Sequence, residues 1–247
     1  MKATITHKKQ TFSVDLLQPI DISIPLSDSE SPLAWYLDKP TIIPVQSEDW
    51  IGKVSEGGDV NFNTITFNPH AHGTHTECVG HITEKVYSIN EHLTTFFFIA
   101  ELITAVSEAN GDDYIISKKQ LKHALHGKIP EALVIRTIPN TQEKKRKNWS
   151  HTNWPYIEES AMVFLRQLGI KHLLIDLPSV DREKDEGELK AHRAFWNVDG
   201  VIRMDATITE MIYVPHKIED GTYLLNLQIA SFENDATPSK PVLYKME

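Results

Sequence analysis

The stretch that most limits the fold is IEESAMVFLRQLG (157–169), followed at once by HLLID (172–176). Ile157, Met162, Leu165 and Leu168 recur near one face at helical spacing, and Gly169 closes the segment. The strand that follows is apolar at Leu173, Leu174 and Ile175, with no alternation. A strand apolar on both sides needs cover on both sides, so a helix feeding it predicts a covered sheet in an α/β fold. Further strands are predicted at TIIPVQ (41–46), VNFNTITF (60–67), FFFIAEL (96–102), ALVIRT (132–137) and TYLLNLQIA (222–230). A second helix is predicted over SKKQLKHALHG, with Ser117 as its cap, Gln120 at the capping-box position and Gly127 at its end.

The polar, basic segment from Asn140 to Trp154 reads as a long surface loop near a site mouth, and KKRK (Lys144 to Lys147) within it as an exposed run. Strong elements flank it on both sides, so one domain over residues 1–247 is expected, with 1–20 as an N-terminal extension or arm. A chain of 247 residues buries a single core without staples.

The formal charge of −9 argues against nucleic acid as a partner. One cysteine allows no internal disulfide, and MKATITHKKQ has no apolar signal core, so a cytoplasmic location is expected. The longest apolar run, TTFFFIAELITAV, is interrupted by Glu101, and no membrane partner is expected.

Chemistry concentrates in FNPHAHGTHTECVGHI (67–82), which holds four of the twelve histidines, Glu77 and the only cysteine, Cys78. In an extended segment His75, Glu77, Val79 and His81 point the same way, and Gly73 permits a turn that returns His70 or His72 to them. Four readings compete: an incidental polar loop, a closed zinc site, a Cys78 nucleophile and an open metal site. Closed zinc sites usually need several cysteines, and strand alternation turns Cys78 away from His75 and His81. Imidazoles with a carboxylate suit zinc, manganese or iron, and the open metal site is the reading preferred. Further donors are available at His192, Glu210, Asp176 and Asp181, among which spacing does not choose.

The same stretch resembles the signature H-x-G-T-H-x-D-x-P-x-H of the metal-dependent cyclase family, which includes bacterial kynurenine formamidases and isatin hydrolases. Gly73, Thr74, His75 and His81 match in register. DISIPLS (21–27), WPYIEESAMVFLRQLGIKHLLIDLPSVD (154–181), AHRAFW (191–196), ITEMIYVP (208–215) and IASFENDATPSKPVLY (229–244) extend the resemblance over most of the chain. There are departures. Ala71 stands at the first histidine, so His70 is preferred in that role with His72 in reserve; Glu77 replaces the aspartate and Val79 the proline.

The resemblance implies a swivelling β/β/α-type mixed-sheet fold and a homodimer or homotetramer with its site near a subunit interface. It implies one or two divalent ions, zinc first and manganese second. His70, His75 and Glu77 would bind the metal, and His192 and Glu210 would complete a second ion or hold its water. His81 would be the acid/base, and Asp176, Ser179 and Asp181 would brace the site. Trp35, Tyr36 and Trp50 lie where the family shapes its substrate pocket. The expected activity is hydrolysis of a small amide, a formamide or a cyclic amide or lactone. A lyase or dehydratase on the same ligands, and a non-catalytic metal-binding protein, are the alternatives.

Overall fold

The structure is a computed structural model that describes all 247 residues. Its main sheet uses eight strands: β1 (Ile20–Asp21), β2 (His75–Glu77), β3 (Phe97–Val106), β4 (Ala132–Ile138), β5 (His172–Ile175), β6 (Thr207–Glu210), β7 (Gly221–Ile229) and β8 (Ala236–Lys245). The order is β7-β3-β4-β5-β6-β2-β8, and β8 pairs back onto β7. Seven strands thus close into a barrel, which leaves no edge among them, while β1 adds to β8. Neighbours from β3 to β6 are parallel and the remaining pairs antiparallel, so the sheet is mixed.

Parallel neighbours need crossovers, and three helices supply them: α1 (Lys118–Leu125), α2 (Glu159–Leu168) and α3 (Lys190–Trp196). Leu133, Ile135, Leu173 and Ile175 face this helical layer, where they join Leu121, Leu125, Met162, Leu165, Phe195 and Trp196. The alternate positions, Ala132, Val134 and Leu174, join Leu102, Leu225, Leu227 and Leu243 in a second cluster that fills the barrel. Both faces of β5 are buried, as its unbroken apolar run requires. Each of its fully buried Leu and Ile side chains contributes roughly 1.5–3 kcal/mol. The predicted caps hold: Ser117 Oγ accepts from Gln120 N at 3.3 Å, the Gln120 side chain accepts from Ser117 N at 3.0 Å, and Gly169 ends α2 at φ 84°.

Three expectations change. The segments predicted at 41–46 and 60–67 pair as Thr41–Pro44 with Asn63–Thr66, outside the barrel. Their β-branched composition favours strand, but neither carries a buried face, and Ile43 and Ile65 stay largely exposed. The strand predicted at 96–102 runs on to Val106, because Ile103 to Val106 stay paired with Ile135 to Ile138 of β4; within it Lys128 at 2.6 Å and Thr222 at 2.7 Å satisfy the buried carboxylate of Glu101. The segment 140–154 is no simple surface loop: Asn140, Lys144, Trp149 and Trp154 are buried, and Lys144 reaches inward to Asp176.

Within residues 1–20 a hairpin pairs Lys2–His7 with Gln10–Asp15, and its Val14 bridges to Met246. No helix is long and apolar enough to cross a membrane.

Candidate metal centre

The stretch 67–82 folds in three steps. Asn68 Oδ1 accepts from His70 N at 2.9 Å and holds a tight turn. Gly73 follows at φ 90°, where a Cβ would lie 3.0 Å from the Ile24 carbonyl oxygen, so only glycine fits. β2 then runs for three residues between β6 and β8, with His75 opposite Glu210 on one side and Pro238 on the other. The extended run expected to continue to His81 stops at Glu77. A short 3-10 turn, Val79–Ile82, carries His81 instead. Gly80 permits that turn, since a Cβ there would fall 2.2 Å from the Tyr87 carbonyl oxygen.

Four histidines from these steps and from α3 surround two buried carboxylates, and each has one nitrogen facing out and one facing in. His75 sets Nδ1 3.1 Å from the Gly73 carbonyl and Nε2 3.4 Å from Glu210 Oε2. His192 sets Nδ1 2.6 Å from Asp181 Oδ2 and Nε2 3.0 Å from Glu77 Oε1. His70 sets Nε2 2.8 Å from Asp235 Oδ2 and Nδ1 3.2 Å from Glu77 Oε2. His81 sets Nδ1 3.4 Å from Asp235 Oδ2 and Nε2 3.8 Å from Glu77 Oε2. Glu210 Oε1 also accepts from Val180 N at 2.9 Å, which anchors it to the loop after β5.

Such a ring demands positive charge. Burial opposes the charged form of His70, but Asp235 and Glu77 outweigh it and push its pKa up to about 10. His192 is raised well above the usual histidine range in the same way: Asp181 and Glu77 overcome its burial. Glu77 is held well below the carboxylate range against its burial, by the charge of His81 and contacts from His192 and His70. Asp235 is lowered too, since His70 and His81 outweigh its burial.

A divalent cation fits the same demand. His75 Nε2 and Glu77 Oε2 are buried without a hydrogen-bond partner. Donor atoms of His70, His75 and Glu77 lie within 4.8 Å of one another, as do those of Glu77, His81 and His192, and those of His70, His81 and Asp235. Imidazole nitrogen with carboxylate oxygen is a donor set for zinc or manganese.

The five residues expected to hold a metal, His70, His75, Glu77, His192 and Glu210, and His81, expected as the acid/base, lie together. His72, the reserve candidate, turns away: its Nδ1 accepts from Asn68 N at 2.9 Å and its Nε2 meets the Asp38 carbonyl at 2.9 Å. Cys78 is fully buried, its thiol donates to the Tyr87 carbonyl, and burial pushes its pKa up to about 11, so it is no nucleophile. Asp181 holds His192, and Ser179 Oγ accepts from Asp181 N at 3.1 Å. Asp176 joins Lys144 and Thr137 instead. Trp35 packs edge-on against Trp154 at 5.2 Å, while Tyr36 bonds to Glu183 and Trp50 meets Phe62 at 6.1 Å.

Asp235 went unseen in the sequence as a site residue. It lies far along the chain from both histidines it meets, inside IASFENDATPSKPVLY (229–244), a segment whose resemblance implied a strand–loop–strand and no site residue. It also marks where the site opens. The side chains of His70, His81 and Asp235 are 19%, 30% and 21% exposed, against 0–4% for Glu77, His75, His192 and Glu210.

Residues 20–182 match the family model Cyclase. The kynurenine formamidase of Bacillus cereus (strain ZK / E33L) is 27% identical over 225 residues, covering 91% of this chain and 96% of that protein. A solved isatin hydrolase bound to the product analogue thioisatinate aligns with a TM-score of 0.65 over 93% of each chain, at 15% identity. A predicted metal-dependent hydrolase from Bacillus stearothermophilus aligns with a TM-score of 0.65 over 92% of this chain and 98% of that one, at 16% identity. At these identities the two structures share the fold.

Proposed function

The chain belongs to the Cyclase family, and from that membership we propose that it is a metal-dependent hydrolase that opens a C–N bond other than a peptide bond in a small amide. The observation that carries this reading is the ring of inward-facing imidazole nitrogens around Glu77 and Glu210. The kynurenine formamidase relative supports a formamide as substrate ahead of a cyclic amide or lactone.

In this reading His70, His75, Glu77, His192 and Glu210 hold one or two divalent ions, zinc before manganese. When bound, such an ion supplies Lewis acidity toward a carbonyl and lowers the pKa of water from about 15.7 toward roughly 7. The residues supply the rest. Glu77 and Glu210 provide the negative charge that retains the cation. Asp181 and the Gly73 carbonyl fix the outward nitrogens of His192 and His75, so their inward lone pairs stay aimed. His81, on the open side, takes a proton from the attacking water at Nε2 and returns it to the leaving nitrogen. A carbon–oxygen bond forms, the carbon–nitrogen bond breaks, and an acid and an amine leave.

The test is turnover of an aryl formamide in ¹⁸O-labelled water by zinc-loaded protein. Hydrolysis places solvent oxygen in the product acid. A product without it would mean a lyase or dehydratase.

The homodimer or homotetramer belongs to this proposal as well. The exposed apolar side chains of Ile43, Val54, Val60, Phe62 and Ile65, in and around a ribbon without a buried face, support it. A two-stranded ribbon is marginal alone in water, and a second copy would cover it.

A further inference from the structure

Asp235 has no part in the mechanism above, yet its Oδ2 lies 2.8 Å from His70 Nε2 and 3.4 Å from His81 Nδ1. The two rings stack with centroids 4.2 Å apart and planes 26° apart, so one oxygen addresses both ring edges. His75 and His192 have their own outward acceptors in buried ground, the Gly73 carbonyl and Asp181. His70 and His81, the two exposed histidines of the ring, share Asp235. The residue sits just before β8, and its own backbone carbonyl accepts from Cys78 N at 3.0 Å, which fixes it beside the turn that carries His81.

An ionised carboxylate only accepts, so Asp235 favours hydrogen on both of the nitrogens that face it. A neutral imidazole has a single N–H, and with the hydrogen on Nδ1 of His81, its Nε2 is left as a lone pair turned toward Glu77. We propose that Asp235 is a positioning residue that fixes the tautomer and ring orientation of His81, and of His70 beside it, and so presents His81 Nε2 as the base. The role of His81 as base rests on the hydrolase reading; its tautomer does not. At the serine-protease triad the amide in place of such a carboxylate keeps the geometry, gives the wrong tautomer and costs about 10⁴ in kcat. The contact to His81 here is longer, and the expected loss is roughly 10²-fold, the lower end for acid/base groups.

The experiment compares wild type, Asp235→Asn and Asp235→Glu, each labelled with ¹⁵N-histidine and loaded with zinc. Imidazole nitrogen shifts read the tautomers, elemental analysis reads zinc, and an aryl formamide reads turnover. Expected are a wild-type His81 protonated at Nδ1 and bare at Nε2, and a mixture of tautomers in Asp235→Asn. Its zinc content should be unchanged, its KM within about threefold of wild type and its kcat down roughly 10²-fold. Asp235→Glu should recover the tautomer and much of the rate. A wild-type His81 protonated at Nε2, or a tautomer and kcat unmoved in Asp235→Asn, overturns the proposal. Zinc lost along with the carboxylate would make Asp235 a ligand and overturn it as well. If no amide is turned over, the hydrolase reading fails alone, because the nitrogen shifts of the zinc-loaded protein decide the tautomer whether or not it is active.

Discussion

Lys144 Nζ lies 2.8 Å from Asp176 Oδ2, and both side chains are almost wholly out of solvent. The ammonium also donates to the Thr137 carbonyl and hydroxyl, and Asp176 accepts from Thr137 N and Oγ1. Burial pushes Asp176 up from its ordinary range, against the pull of Lys144 and Thr137. Breaking one side of a buried pair leaves the other charge uncompensated. Lys144→Met is therefore expected to cost about 3–5 kcal/mol in urea unfolding, and Lys144→Met with Asp176→Asn less than the single change. A single variant as stable as wild type would mean that the pair is not buried in solution.

His75→Ala should lose the ion and the activity together. His81→Ala should keep the ion while activity falls by roughly 10²–10⁴-fold. Elemental mass spectrometry beside an amide assay checks both. Full activity without His81 would remove its role.

Stripping divalent ions should lower thermal stability. Zinc at 100 times its Kd adds about 2.7 kcal/mol, worth roughly 5–10 °C in a chain of this size. Protons compete for the same lone pairs, and the pKa of His70 near 10 means that one is displaced as the ion binds. Zinc should therefore bind more tightly as the pH rises from 6 to 8. Titration calorimetry in buffers of different ionisation enthalpy reads the released protons; none released would contradict the arrangement.

His172 gives stability its own pH dependence. Burial first, then the charges of Lys171 and Arg203, push its pKa down to about 4 from 6.5. Its ring lies 3.9 Å from Phe98, and its Nδ1 is 2.9 Å from Thr207 Oγ1. As the pH falls through about 6.5 the unfolded chain takes a proton that the folded chain refuses until about 4, so stability is lost across that window. The loss approaches roughly 3 kcal/mol at its lower end. His172→Gln should flatten the slope by that amount in urea unfolding from pH 7 to pH 4. Equal slopes would show that the histidine is charged in the fold.

Much of this site was legible because its densest part is local. Gly73, His75, Glu77 and His81 sit within nine residues, and β2 keeps His75 and Glu77 on one face as alternation requires. His70 was preferred over His72 through the resemblance alone; its physical reason, the way Asn68 N and the Asp38 carbonyl engage the His72 ring, was not legible in the sequence. Lys144 looked like one of four exposed basic residues, and only the fold reveals Asp176 beneath it. The apolar run of β5 announced a covered strand, but nothing local announces that β8 returns to β7 and closes the barrel. The ribbon at 41–66 shows the converse: strand propensity read correctly, with no core to receive it.

The closed barrel also sets when a nascent chain becomes able to hold an ion. His75 and Glu77 lie on a strand gripped between β6 and β8, and β8 follows every other barrel strand in the chain. Four of the ring's six residues, His70, His75, Glu77 and His81, are synthesised early and wait, unpaired on the second side of β2, for partners made much later. In the proposed metal-dependent reading, ion uptake would be coupled to the completion of folding, and a chain arrested before β8 would carry the histidine-rich motif without the geometry that gives it a use.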